Sequence, residues 1–278
     1  MKTNFSAGQI TAYSFVAFGA IVMLAPFYFM FVFATHDNTA IMSVPPPLWF
    51  GDELGNNLTA LIDYLPYFWK NLGWSFYIAA ITTALNLLFC SLAGYAFAMF
   101  EFRYKKMLFV FIMGTLMLPA FLSMIPTALI MSILGWMNTP KALYVPMACG
   151  AMGIFLMRQY IGSAIPRELI EAARMDGCSE FGIYWRIVVP LIKPALGTLG
   201  LVVFIGQWNN FMGPLVVMND MEMYTVPLAL RALQGSTGLV PYGAIFSGVA
   251  IAVLPLMVMF VFSSRKLIDG LTAGAVKG

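Results

Sequence analysis

The chain carries one histidine, three cysteines and few charges: Asp, Glu, Lys and Arg make up 10% of its 278 residues, against roughly a quarter in soluble domains. The shortage excludes several classes. His36 stands alone beyond the first apolar run, with no His or Cys neighbour to complete a metal site, so it reads as an ordinary loop residue. Cys90 and Cys149 fall in apolar runs and Cys178 in a charged one, a spacing that fits neither a disulfide framework nor a zinc site. Asp, Glu, Lys and Arg are absent from about 10–34, 71–100, 107–140, 142–157, 195–219 and 232–264. An intramembrane enzyme needs a nucleophile with a base or a metal, and those runs supply none. A proton- or sodium-coupled carrier places a carboxylate or a broken helix near the midplane, and the runs show neither sign. A channel filter built from repeated elements is also missing.

What remains is apolar: 61% of residues are hydrophobic and the mean hydropathy is +0.85. A bilayer core of about 30 Å takes about 20 apolar residues per helix. The runs therefore predict an all-α polytopic membrane protein with six transmembrane helices, forming one domain over 1–278. The run at 107–140 exceeds one span, which puts its helix near 107–130 with "GWMNTP" as loop. The helix of the run at 142–157 extends to about Tyr160. The first run is too long for a signal-peptide core and has one basic residue before it, so it reads as a retained helix.

Basic residues set the orientation. With a cytoplasmic amino terminus, the inner segments hold Lys2, Arg103, Lys105, Lys106, Arg158, Arg167, Arg174, Arg186, Lys193, Arg265, Lys266 and Lys277. The outer loops hold Lys70, Lys141 and Arg231. This bias predicts both termini on the cytoplasmic side. The outer loop from about 35 to 70 contains "SVPPPLWFGDELGNN", whose prolines and glycines predict irregular structure.

The segment "ELIEAARMDGCSEFGIYWRIVVP" (168–190) breaks the apolar pattern with Glu168, Glu171, Arg174, Asp176, Glu180 and Arg186. Pro166 suits a first helical turn, and Gly177 suits the left-handed residue that closes a helix. Together they predict a helix of about three turns. Leu169, Ala172 and Ala173 fall on one face, with Glu168, Glu171 and Arg174 along a charged edge. Ser179 is placed to cap a second short helix through "EFGIYWRIV", and Pro190 and Pro194 mark the return to the membrane. By composition alone this is a solvated amphipathic loop on the membrane surface.

The spacing says more. Glu171-Ala172-Ala173, then Gly177, Ile187 and Pro190, resembles the EAA signature of ABC importer permeases (E-A-A, three residues, G, nine residues, I, one residue, L-P), with Val189 in place of the usual Leu. Three stretches, "GIFLMRQYIGSAIPRELIEAARMDG" (153–177), "GQWNNFMGPLVV" (206–217) and "DGLTAGAVKG" (269–278), are similar to the maltose-type carbohydrate permeases. The resemblance implies a non-catalytic inner-membrane subunit of a bacterial importer for a sugar or oligosaccharide. Its implied partners are a second homologous permease, two ATPase subunits, an extracytoplasmic solute-binding protein and membrane lipid. It implies no cofactor in this chain, with ATP and Mg held by the ATPase. The coupling loop, about 161–193, is implied to dock on the ATPase through Glu171, Ala172, Ala173, Arg174, Asp176 and Gly177. The alternative is an autonomous secondary carrier or channel; a third reading is a membrane sensor that transports nothing.

Gln207, Asn209 and Asn210 bring amides into an apolar run, where unsatisfied polar groups are costly. They either bond to neighbouring helices or line a wet path, with Trp208 as a sugar-stacking face. The resemblance favours the path. In the tail 265–278, Gly270, Gly274 and Gly278 predict against a stable helix. The resemblance implies instead that Gly270, Thr272, Gly274 and Lys277 reach the ATPases.

Overall fold

A computed structural model describes residues 7–235 and 242–275. They are all-α, with no strand among the described residues. In chain order the main helices are α1 (Ala7–Phe33), α2 (Leu54–Tyr64), α3 (Phe68–Met99), α4 (Lys105–Thr115), α5 (Met124–Ile133), α6 (Ala151–Ala164), α7 (Arg167–Met175), α8 (Glu180–Ile183), α9 (Lys193–Trp208), α10 (Met212–Val217), α11 (Val226–Gly235) and α12 (Tyr242–Ala275). Among the described residues three stretches are long and apolar enough to cross a membrane: Thr11–Phe33, Phe68–Met99 and Tyr242–Val261. A fourth is counted if Glu180–Leu191 and Lys193–Trp208, bent by 79°, form one span.

The other apolar runs are divided. The expected continuous helix over 107–130 is interrupted between α4 and α5, because Pro119 has no N–H to give and its ring disfavours helical backbone at Leu118. The chain resumes through a tight turn at Ala120–Ser123. The run starting at 142 makes one turn, Lys141–Tyr144, and becomes a long helix only at Ala151, after an extended Gly150. The run over 195–219 also splits, between Trp208 and Met212. Broken helices are thus present where unbroken ones were expected. The segment from about 35 to 70, expected to be irregular, departs from expectation too: Leu54, Leu58 and Leu61 recur at helical spacing, and α2 forms there with Leu61 buried. At the other end α12 continues helically through Gly270, Thr272 and Gly274, against their low propensity, while Lys277 lies outside the described residues.

The residues fall into two compact units, Met1–Phe68 with Leu230–Pro255 and Trp69–Ala229 with Leu256–Gly278. In the first, Met30 and Ala34 of α1 pack with Phe246 and Ala250 of α12. The Asn57 amide closes the end of α1 by donating to the Ala34 and His36 carbonyls, each at 2.9 Å. In the second, α3 and α6 meet so closely that a Cβ on Gly94 would lie 2.5 Å from the Met157 Cβ. Absence of a side chain there sets the interhelical distance. Around this contact Tyr95, Phe97, Met157 and Ile161 form a core that also receives Ile170, Ala173, Ile183 and Tyr184 from the charged segment.

Candidate functional site

The charged segment is a helix–turn–helix device with two different sides. Pro166 holds extended backbone at the start of α7, and Asp176 ends it. Gly177 then turns at φ +79°. Its N–H donates to the Arg174 carbonyl at 3.0 Å, and the Cys178 N–H donates to the Ala173 carbonyl at 3.0 Å. This paired closure needs a left-handed residue, which glycine takes without steric penalty. The expected cap of the second helix is present, with Ser179 Oγ accepting the Gly182 N–H at 3.2 Å. A π-helical turn, Tyr184–Val188, then leads toward α9.

The buried face of α7 differs from expectation. Ile170, 2% exposed, and Ala173 point into the core. Leu169, 41% exposed, and Ala172 face outward with Glu168, Glu171, Met175 and Asp176. At about 100° per residue, Ile170 and Ala173 share one direction and Leu169 and Ala172 another. Burying Ile170 contributes about 2 kcal/mol, which settles the rotation of the helix.

Arg174 has a task inside the chain. Its Nε donates to Glu180 at 2.7 Å, its guanidinium lies 5.2 Å from the Phe100 ring, and Glu180 also accepts the Tyr95 hydroxyl at 3.0 Å. This charged relay ties α7 and α8 to α3. Tyr184 adds a second tie, its hydroxyl 2.7 Å from that of Ser91 on α3. Just past the carboxyl end of α3, Glu101 accepts from Lys105 at 3.1 Å and Arg167 at 3.3 Å. Lys105 first, then Arg167, holds its carboxyl below the usual carboxylate range.

The amides lie at the break between α9 and α10. Asn209 donates to the Ile205 carbonyl at 3.0 Å, while Asn210 accepts the Gly213 N–H at 3.1 Å and approaches Gln207 at 3.4 Å. Trp208, 3% exposed, is stacked on Phe204 with ring centroids 5.9 Å apart, so the stacking face expected of it is covered. Asn210 and Gly213 border a cavity of about 360 Å³ that is also lined by Phe121 and Ser123, from the turn after Pro119, and by Thr127 of α5. The two interruptions therefore open one space.

Sequence reasoning missed a polar stripe along α3. Asn71, Ser75, Thr82 and Asn86 are buried and recur at helical spacing. Asn71 donates to the Met221 carbonyl at 2.9 Å, Ser75 accepts the Val226 N–H at 2.8 Å, and Asn86 donates to the Met147 carbonyl at 3.1 Å. The repeated i, i+4 pairing was the available signal. The stripe fastens loops to the helix. Among the described residues no three His, Cys, Asp or Glu side chains gather as a metal site.

Comparison with known proteins places this geometry. A family model described as "Binding-protein-dependent transport system inner membrane component" matches residues 90–270. The arabinooligosaccharides transport system permease protein AraQ of Halalkalibacterium halodurans is 36% identical over 215 residues, 76% of this chain and 75% of that protein. The lactose transport system permease protein LacG of Rhizobium radiobacter is 34% identical over 97% of this chain and 96% of its own length. The trehalose/maltose transport system permease protein MalG of Thermococcus litoralis is 32% identical over 93% of each. The fold is similar to that of a chain in the crystal structure of a bacterial ABC transporter involved in the import of the acidic polysaccharide alginate. Its TM-score is 0.81 at 21% identity, covering 94% of this chain and 98% of that one.

Proposed function

This chain belongs to the family of binding-protein-dependent transport system inner membrane components and is a permease subunit of an ABC importer, and on that premise we propose that it imports a sugar or oligosaccharide. Relatives whose names specify arabinooligosaccharides, lactose and trehalose/maltose support the cargo class. The working assembly pairs this chain with a second homologous permease, two ATPase subunits that bind ATP and Mg, and an extracytoplasmic solute-binding protein. Both termini face the cytoplasm, the side that receives most of the basic residues.

α7 is the joint to the ATPase. The observation carrying this reading is its division of labour: Ile170 and Ala173 are buried, Arg174 is tied through Glu180 to Tyr95, and Glu168, Leu169, Glu171 and Ala172 stay exposed. A helix so anchored passes a displacement on its outer face to α3. Closure of the ATPases moves α7, and different contacts in the two states shift the paired permeases between inward- and outward-facing forms. The solute path runs by Gln207, Asn209 and Asn210 beside the cavity at the two helix breaks. The tail residues Gly270, Thr272, Gly274 and Lys277 contact the ATPases.

The test is uptake into proteoliposomes holding this chain with its co-purified subunits and binding protein, offered labelled arabino-oligosaccharide, lactose, maltose and trehalose. Accumulation of one of these must require internal or external ATP on the ATPase side, and Glu171→Lys must release the ATPase from the complex. Uptake driven by an ion gradient without ATP would return the chain to the secondary carriers.

A further inference from the structure

A cavity of about 940 Å³ opens where the end of α3 meets α4 and α6. Lys105 and Lys106 come to it from α4, Arg158 from α6 and Glu101 from the turn between α3 and α4. An adjoining cavity of about 350 Å³ shares Lys105 and Arg158 and adds Arg167. Four cations thus face one carboxylate, and Lys105 and Arg167 already share that carboxylate.

Arg158 and Lys106 form no ion pair among the described residues. Arg158 is half-buried, its guanidinium 3.9 Å from the Phe109 ring centroid. A half-buried guanidinium whose one face lies on an aromatic ring still has N–H donors free to bind an anion in the cavity. A phosphodiester would satisfy it, since the guanidinium fork matches two phosphate oxygens and a neighbouring ammonium can take a third contact. The remaining walls are apolar: Phe97, Phe102, Met107 and Val110 line the same cavity. Met107, Val110 and Phe111 continue the apolar surface along α4, each more than half exposed. A free phosphate has no use for such a surface; acyl chains do.

We propose that this cavity binds the phosphate of an anionic glycerophospholipid, with Arg158 and Lys106 as its principal contacts and acyl chains lying along Met107, Val110 and Phe111. Basic pockets between helices at a membrane boundary recognise headgroups by this combination of charge and apolar wall. A bound lipid would fill the space beside α6, the helix that leads directly into α7.

The experiment uses the detergent-extracted protein with its co-purifying subunits, offered equal phosphatidylglycerol and phosphatidylcholine and observed by native mass spectrometry. The wild type is expected to retain phosphatidylglycerol over phosphatidylcholine by about tenfold, and the double variant Arg158→Gln, Lys106→Gln to lose that preference. Arg186→Gln removes an exposed cation outside the cavity and must keep the preference. Equal retention of the two lipids by the wild type, an unchanged preference in the double variant, or the same loss in Arg186→Gln would overturn the assignment. So would displacement of the lipid by millimolar inorganic phosphate, which would mark a free-anion site. If the double variant is not recovered, exposed Lys106→Gln alone must lower the preference several-fold, and no change there overturns the proposal equally.

Discussion

The charged segment at 167–192 and the amide-bearing break at 209–211 both interrupt apolar helices, but they spend their polar atoms differently. In the first, the bonds run between elements: Arg174 to Glu180, Glu180 to Tyr95 on α3, Tyr184 to Ser91 on α3. In the second they stay local, Asn209 to Ile205 four residues back and Asn210 to Gly213 three residues on. Bonds between elements make a segment move with its neighbours. Local bonds hold a turn together and leave the adjoining cavity unbridged. The first design suits a joint that passes on motion; the second suits a lining whose amides can exchange partners with a solute's hydroxyls at little cost to the fold.

Four variants press on this contrast, the largest effect first. Gly177→Asp puts a side chain at φ +79°, where an L-residue costs about 1–2 kcal/mol, and adds a negative charge beside the carboxyl end of α7, which opposes the helix dipole. Both effects act against the turn, so ATP-driven uptake should fall by about tenfold or more while the chain still inserts. Normal uptake with normal ATPase association would make the segment a passive loop and end the comparison.

Glu180→Ala should come next, because it removes the acceptor shared by Arg174 and Tyr95. Losing charge-assisted bonds of about 1.5–3 kcal/mol before solvent screening should loosen α7 from α3 and lower uptake several-fold while raising uncoupled ATP hydrolysis. Tyr95→Phe, which removes one bond and keeps the ring, should lie between wild type and Glu180→Ala in the same two assays. Equal, unaltered coupling in both variants would show that the relay carries no motion.

The smallest effect belongs to the break. Asn209→Leu with Asn210→Leu removes amides whose partners are local, so assembly and ATPase association should remain at wild-type levels and uptake of the cognate sugar should fall a few-fold. Loss of assembly instead would assign the amides to helix packing and erase the difference between the two regions.

How far each region was legible follows from the range of the forces involved. The backbone of the charged segment could be read residue by residue, since Gly177 closes a helix three residues behind it and Ser179 caps one three residues ahead. Its rotation could not, because Leu169, Ala172 and Ala173 make as plausible an apolar face on paper as Ile170 with Ala173. Choosing between them needed the core of α3 and α6 that accepts Ile170. The break at Asn209 was hidden for a related reason: an uncharged run from 195 to 219 has the length and hydropathy of one span, Pro214 signals a break only near its far end, and the interruption at 209–211 shows in the folded backbone.

The sequence by itself determined that the chain is an apolar, all-helical membrane protein, that its charges cluster between the apolar runs, and that a short helix closes at Gly177. These follow from composition and from signals that act within about four residues. The tertiary structure decided which face of that helix is buried, that Arg174 serves Glu180 and Tyr95, that Trp208 is covered by Phe204, and that two broken helices share one cavity. Each of these depends on groups brought together from distant parts of the chain, and hydrophobic burial is non-directional: it specifies how much surface is removed from water and leaves the choice of partner to packing.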